Sequence, residues 1–80
     1  MSRHSYTQDL VVLFTGRPGE WFDGLSLAKL AGAYAWRTRT SEARRILRAA
    51  CVGDIENLQI RAKGHATISR YRFVPRREVG

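Results

Sequence analysis

The sequence is poor in cysteine, in histidine and in long apolar runs, and each shortage excludes a class of protein. With one cysteine among 80 residues, no disulfide can form within the chain. Cys51 and two distant histidines cannot supply the four ligands of a tetrahedral zinc site. The longest apolar run, Leu10 to Phe14, has five residues, whereas a membrane-spanning helix needs about 18. We therefore expect no membrane span, no metal, no other cofactor and no covalent staple in the core.

The beginning of the chain also lacks the features of a secretory signal. Its first charged residues are followed by the same short apolar run, without a small-residue cleavage site. We therefore expect a cytoplasmic protein. The length and the 44% apolar content fit one small globular domain. We predict that this domain covers residues 6–75, between a flexible N-terminus at 1–5 and a flexible C-terminal tail at 76–80.

Groups that could carry out catalysis are equally scarce. His4 falls in the predicted N-terminal tail and His65 at a loop tip. Cys51 follows an apolar helix end, where we expect it to be a small buried hydrophobic residue. There is no glycine-rich phosphate loop, and no nucleophile or titratable pair with an orienting partner. We expect that the protein is not an enzyme.

Positive charge is what the sequence has in excess. Its 14 lysines and arginines face 7 acidic residues, which gives a net charge of +7. Residues 1–34 sum to zero, so the whole excess lies downstream, and 12 of the 14 cations are arginine. The planar arginine fork binds phosphate or a guanine edge through two hydrogen bonds. The composition favours a nucleic-acid partner, although a surface kept in solution by its charge has the same composition.

Periodicity, capping residues and turn residues predict three helices. A capping box at Ser5 to Gln8 opens the first helix, and Gly32 is placed to end the second, whose cap is either Asp23 or Ser26. The predicted helices cover residues 6–15, residues 26–32, and a third segment that starts between Tyr34 and Thr38 and ends near Ala50.

Residues rich in aromatic and β-branched side chains predict three strands. The short segment 20–24 is too short to stand alone, so we expect it to pair with a strand near the C-terminus. Segments 55–61 and 66–74 are predicted to form a hairpin with Gly64 at its tip. Ile55, Leu58 and Ile60 do not follow one strict alternation, which leaves open which face of the first hairpin strand is buried.

The third helix projects as an apolar stripe opposite a cationic face. The stripe comprises Trp36, Ala43, Leu47 and Ala50, flanked by Thr40 and Ile46. The opposite face comprises Thr38, Ser41 and Arg45, flanked by Arg37, Arg48 and, further round, Arg44. Salt bridges from Glu42 to Arg45 or Arg39 are an alternative use of this face. Arg39 projects toward the edge of the core, where a backbone carbonyl or Asp54 is its candidate partner.

The order of elements resembles the winged helix-turn-helix family of DNA-binding proteins, particularly its small members in bacteria and their viruses. The resemblance covers Thr7 to Pro75 and rests on Trp21, Leu27-Ala28, Gly32, Trp36 to Arg39, Ser41 to Arg45, Ile55 to Asn57 and Tyr71-Arg72. It implies an α+β winged helix fold, with a three-helix helix-turn-helix core, a C-terminal β-hairpin wing and a short strand between helices 1 and 2. Thr38 and Ser41 depart from the usual pattern of buried aliphatics, which predicts a longer turn or a rotated third helix.

The resemblance implies sequence-specific binding of double-stranded DNA by a transcriptional regulator or recombination accessory. The third helix would read bases in the major groove, and the wing would lie on adjacent backbone or in the minor groove. The base-edge candidates are Arg37, Thr38 and Ser41, followed by Arg45, and the phosphate candidates are Arg44 and Arg48. The wing candidates are Arg61, Lys63 and His65. The alternative is a winged helix that binds an acidic protein partner, and a homodimer on a repeated DNA site stays open.

Three aromatic residues have both a structural and a functional interpretation. Trp21, Trp36 and Tyr71 could stack on the bases of a single strand. A core this small needs large side chains to offset the entropy of ordering the chain. We therefore expect the three residues to pack in the core.

Overall fold

The computed structural model describes residues 5–61, 64 and 67–76. These residues form an α+β fold of three helices and a three-stranded antiparallel sheet, in the predicted order. The helices are α1 (Tyr6–Gly16), α2 (Gly24–Ala31) and α3 (Trp36–Ala49), and the strands are β1 (Phe22–Asp23), β2 (Gly53–Arg61) and β3 (Thr67–Pro75). The segments predicted to be flexible lie outside the described residues, apart from Ser5 and Arg76. No helix within the described ranges is long and apolar enough to cross a membrane.

Capping side chains fix where the first two helices begin. The Ser5 hydroxyl accepts a hydrogen bond from the Gln8 N–H at 3.2 Å, as the capping box predicted. Asp23, rather than Ser26, caps α2, because its carboxylate accepts from the Ser26 N–H at 2.8 Å. This hydrogen bond lowers the pKa of Asp23. Because Asp23 is the cap, α2 starts two residues earlier than predicted.

Two left-handed residues end α2 and α3. Gly32 has a φ of +97° at the end of α2, a conformation that favours glycine. Cys51 follows α3 with a φ of +58°, while the Cys51 and Val52 N–H groups donate to the carbonyls of Arg48 and Leu47. This is a Schellman motif with cysteine in the position usually held by glycine. Cys51 is exposed, so the prediction that it is buried was wrong: the turn directs it away from the core.

The sheet has β3 in its centre, with β1 and β2 on either side. Pairing between β2 and β3 runs without a bulge from Gly53 opposite Pro75 to Arg61 opposite Thr67. Paired residues point to the same face, and the face alternates along each strand. We call the face that contains the buried pair Ile55 and Phe73 the core face, and the opposite one the outer face. Ile55 is therefore the buried apolar residue of β2, whereas Leu58 and Ile60 are on the outer face.

The core lies between the three helices and the core face of the sheet. Its buried members are Leu10, Phe14, Leu27, Ala31, Ala43, Leu47, Ile55 and Phe73. Burying one large apolar side chain contributes about 1.5–3 kcal/mol. The rings of Phe14 and Phe22 meet edge to face at 5.6 Å, so β1 is packed on α1. The fold thus depends on packing that joins all three helices to the sheet.

The apolar stripe predicted for α3 is correct in its middle and wrong at its end. Ala43 and Leu47 are buried, and so is Thr40, whose hydroxyl donates to the Trp36 carbonyl at 2.7 Å. Ala50 is exposed and Ile46 is 46% exposed. The helix ends at Ala49 and the chain then turns into β2, so the core does not extend to these positions.

The aromatic residues predicted for the core divide into two groups. Trp36 and Tyr71 are half-buried against the core, with ring centroids 5.9 Å apart in an edge-to-face contact. Trp21 instead is 36% exposed and has the Arg72 guanidinium 4.6 Å above its ring. Because Arg72 is on the outer face, Trp21 belongs to that face, and the core prediction for it was wrong.

Candidate nucleic-acid interface

The polar side of α3 forms a continuous exposed surface. The side chains predicted to contact DNA from this helix are all exposed: Arg37, Thr38, Ser41, Arg44, Arg45 and Arg48. Helical periodicity turns them outward because the opposite stripe packs into the core. We call these six residues the α3 face. Thr38 and Ser41 are exposed, whereas Thr40 is buried on the opposite side of the helix.

Two grooves run along this surface and share residues. One of about 540 Å³ is lined by Ser41, Arg44, Arg45, Arg48 and Ala49. The other, of about 270 Å³, lies between α3 and the core face of the sheet, and is lined by Arg37, Thr40, Ser41, Arg44, Ile55, Asn57 and Tyr71. Ser41 and Arg44 line both grooves, so the helix and the hairpin present one connected surface rather than two separate ones.

Arg44 forms a salt bridge to the beginning of β2, the first strand of the hairpin. Its Nε donates to one carboxylate oxygen of Asp54 at 2.7 Å and its Nη2 to the other at 3.3 Å. The Ile55 N–H donates to the same carboxylate at 2.8 Å, which fixes Asp54 on β2. The hydrogen bond from Arg44 lowers the pKa of Asp54, and the carboxylate raises the pKa of Arg44. Of the two candidate partners of Arg39, Asp54 is therefore held by Arg44 instead.

Arg39 has a structural role. Its Nη1 donates to the carbonyl of Ala31, the last residue of α2, and its guanidinium lies 4.4 Å from the Tyr6 ring. The predicted carbonyl contact is confirmed. Arg39 therefore joins α3 to both other helices and does not belong to the α3 face.

The acid on α3 does not neutralise the α3 face. Glu42 accepts a hydrogen bond from the Thr7 hydroxyl of α1 at 2.8 Å, and among the described residues no salt bridge joins it to Arg45 or Arg39, the alternative use of this face. Within the part of the chain that the structure describes, Arg45 and Arg48 have no acidic side chain at salt-bridge distance. The hydrogen bond from Arg44 is the main cause of the lowered pKa of Asp54, and the positive charge of Arg48 lowers it further by a smaller amount. Uncompensated like charges on neighbouring turns repel one another, and an anion bound across them would remove that repulsion.

Arg37 lies between the helix and the hairpin. Its guanidinium is 5.0 Å from the Trp36 ring, and its side chain lines both the α3–sheet groove and a further cleft of about 430 Å³ beside the start of α2. The remaining donors of a guanidinium stacked on an indole stay available to an anion. Arg37 is therefore held in place while exposed.

The hairpin supplies the second set of predicted contacts. Arg61 is exposed at the end of β2, opposite Thr67, on the same face as Asn57 and thus on the core-face side. Gly64 is exposed with a φ of +116°, as a tight tip requires. Lys63 and His65 lie outside the described residues, so their predicted contacts have no structural counterpart here.

Asn57 is a candidate contact that sequence reasoning missed. It lies in the groove between α3 and the sheet, and its Nδ2 donates to the Arg70 carbonyl at 3.3 Å. This bond uses the amide nitrogen of Asn57, whose amide oxygen is an acceptor. The alternation of strand side chains could have identified it, because Asn57 is two residues from Ile55 and therefore lies on the same face.

Within residues 5–61, 64 and 67–76, no group of three histidine, cysteine, aspartate or glutamate side chains is close enough to hold a metal ion. No protein-family model matches the chain, and no curated protein or solved structure matches it either.

Proposed function

We propose that this chain is a winged helix-turn-helix protein that binds double-stranded DNA in a sequence-specific way. In this proposal α3 is the recognition helix in the major groove, and the β2–β3 hairpin is the wing on adjacent backbone or in the minor groove. The protein would act without catalysis, as a transcriptional regulator or recombination accessory of a bacterium or phage. The order of helices and strands is compatible with this fold.

The observation that carries the proposal is the composition of the α3 face. Four arginines and two hydroxyl side chains are exposed together on one side of the helix, and only Arg44 among the four has an acidic partner in the described part of the chain. Arginine reads guanine O6 and N7, and threonine and serine bind phosphates or base edges. The small Thr38 and Ser41 let the helix approach the base edges closely.

The α3 face divides into base contacts and phosphate contacts in this proposal. Arg37, Thr38 and Ser41 belong to the first half of α3, which in helix-turn-helix proteins contacts bases, with Arg45 next along the helix. Arg44 and Arg48 would bind phosphate. The Nε edge of Arg44 is occupied by Asp54, so its remaining N–H groups would point to DNA. Arg61, with Lys63 and His65 nearby in the sequence, would bind the flanking backbone.

The test is selection of bound duplexes from a random pool, followed by a salt titration of the selected site. We expect a defined sequence, weaker binding of its scrambled version, and a slope of log K against log salt of about −4 to −7 for several phosphate contacts. Absence of binding to any duplex at about 50 mM salt would contradict the proposal.

One observation favours a second function. Arg44 already binds a carboxylate within the chain, so an arginine of the α3 face can hold a carboxylate as well as the phosphate that the DNA proposal requires. A winged helix module that binds an acidic protein segment would use the same arginines. A chain that binds polyglutamate as tightly as any duplex, with no sequence preference among duplexes, would support this alternative.

A further inference from the structure

The outer face of the sheet carries an aliphatic patch that the described residues leave uncovered. Leu58, Ile60 and Ile68 are 43%, 36% and 38% exposed. Leu58 and Ile60 are two positions apart on β2, and Ile60 is paired with Ile68 across the strands. Neighbours of this kind on one face of a sheet are in contact, so the three side chains form one patch.

On the core-face side, the same part of the hairpin carries polar residues. Gln59, Arg61, Thr67 and Ser69 share the core-face side, which is the side on which the helices lie. The apolar side of this part of the hairpin is therefore directed away from the protein's own core. Exposed aliphatic side chains that adjoin one another are typical of a surface that is covered by a partner.

The charges of the outer face favour a second copy of the chain as that partner. Arg72 donates to Glu56 at 2.9 Å, and Arg70 lies opposite Asp23 in the register of β1 and β3. The remaining acid on this face, Asp54, forms a salt bridge with Arg44, so the acids of the outer face are matched by arginines in a chain with a net charge of +7. Two copies can approach each other here without net repulsion, whereas their α3 faces repel.

We propose that the outer face is a self-association surface, on which the aliphatic patches of two copies pack together about a two-fold axis. Such an interface requires a patch that is complementary to itself, and an aliphatic centre with balanced charges at its rim meets that condition. Trp21 and Arg72 flank the patch, and these residue types dominate the energetics of many interfaces. The groove between α3 and the core face stays open in this dimer.

The size of the face predicts the strength of the dimer. Two nine-residue strands, with about 3.4 Å per residue and about 4.8 Å between strands, cover roughly 300 Å² per copy, which is less than the ~800 Å² per partner of a standard stable interface. We therefore expect a weak, transient dimer with a dissociation constant on the order of 100 μM. The dimer does not depend on DNA, so it is tested separately from the proposed DNA binding.

The experiment is sedimentation equilibrium of the full chain, from about 1 μM to about 500 μM, without DNA. It compares the wild type with Ile60→Glu, and with Val12→Glu as the matched control, because Val12 is 60% exposed on α1. Glutamate lowers the net positive charge by the same amount in both variants, so a difference between them reflects where the new carboxylate lies. We expect Ile60→Glu to weaken the dimer at least about tenfold and Val12→Glu to leave it unchanged, with helical circular dichroism preserved in both.

A second variant separates the loss of association from the loss of folding. If Ile60→Glu loses its circular dichroism signal, Ile68→Gln makes a milder change to the same patch and should also weaken the dimer. A wild type that is monomeric throughout the concentration range would overturn the proposal, as would equal dimerisation of the wild type and both outer-face variants. A monomer whose duplex binding is lost in Ile60→Glu would show that the patch contacts nucleic acid instead, which also overturns it.

Discussion

The α3 face and the outer face of the sheet are both exposed, but they differ in charge and in apolar content. The α3 face has four arginines, of which Arg44 has an acidic partner among the described residues. The outer face has balanced charges around Leu58, Ile60 and Ile68. Both surfaces exist because one side of each element packs into the core, with a period of 3.6 residues for the helix and 2 for the strands. One small core thus presents two surfaces with different chemistry.

Because the two surfaces differ in charge and in apolar content, they favour different kinds of partner. An anion on the α3 face relieves repulsion between arginines that the folded chain leaves uncompensated. An apolar partner on the outer face gains by removing aliphatic surface from water, at about 25 cal/mol per Å². In the two proposals nucleic acid binds the first surface and a second copy of the chain binds the second, so the proposed DNA binding and the proposed dimer do not compete for the same residues.

The largest expected effect separates the two faces of β3. Phe73 is 3% exposed on the core face, whereas Ile68 is 38% exposed on the outer face. We expect Phe73→Ala to lower the free energy of unfolding by about 3–5 kcal/mol, because it leaves a cavity in the core. Ile68→Ala should cost less than about 1 kcal/mol in the monomer. Urea unfolding at a protein concentration below that of dimerisation measures both, and equal losses would contradict the assignment of faces.

The α3 face can be tested at one of its exposed arginines. Arg45 is exposed on this face, so under the proposed function we expect Arg45→Ala to weaken binding to the selected duplex by about 1–3 kcal/mol and to relax the preference at one base position. Fluorescence anisotropy with the selected duplex and with single-base variants measures both effects.

Arg17→Ala is the matched control for Arg45→Ala. It removes the same charge from an exposed residue that is paired with Glu20 in the turn after α1, away from both grooves of the α3 face. We expect it to change the affinity much less than Arg45→Ala does, and equally for all sequences. The same loss of affinity from both changes, without altered base preference, would contradict base recognition by Arg45.

Local sequence signals predicted the elements of the fold. The Ser5 cap, the Gly32 stop and the spacing of Ala43 and Leu47 depend on residues within one or two turns of one another. Each of these features is determined by nearest neighbours in the chain, which is why the sequence alone was sufficient.

Contacts between distant segments were not predictable in the same way. Arg44 and Asp54 are brought together by the turn after α3, and Thr7 reaches Glu42 from another helix. Trp21 is exposed because the pairing of β1 with β3 puts it on the outer face. Neither composition nor periodicity carries this information, since each outcome depends on which strand face or helix face meets which neighbour.

The smallest expected effect tests the link between α3 and the hairpin. The Arg44 hydrogen bond lowers the pKa of Asp54 from its ordinary value of 3.8. A carboxylate whose pKa is lower in the folded state stabilises the protein above its unfolded pKa, and this contribution disappears as the pH falls through the folded pKa. Both side chains are nearly half exposed, so we expect a contribution of about 0.2–1 kcal/mol.

The variant Asp54→Asn isolates this contribution, because its amide oxygen can still accept the Ile55 N–H that Asp54 accepts at 2.8 Å. At neutral pH we expect it to be less stable than the wild type by the amount given above. The difference should shrink below about pH 4 as Asp54 takes up a proton and the ion pair is lost. Urea unfolding of both chains between about pH 3 and pH 7 measures it. A stability difference that stays constant over this range would mean that the charge of Asp54 does not hold α3 to the hairpin, and that the two parts of the proposed DNA-binding surface are aligned by the packing of Ile55 and Leu47 in the core alone.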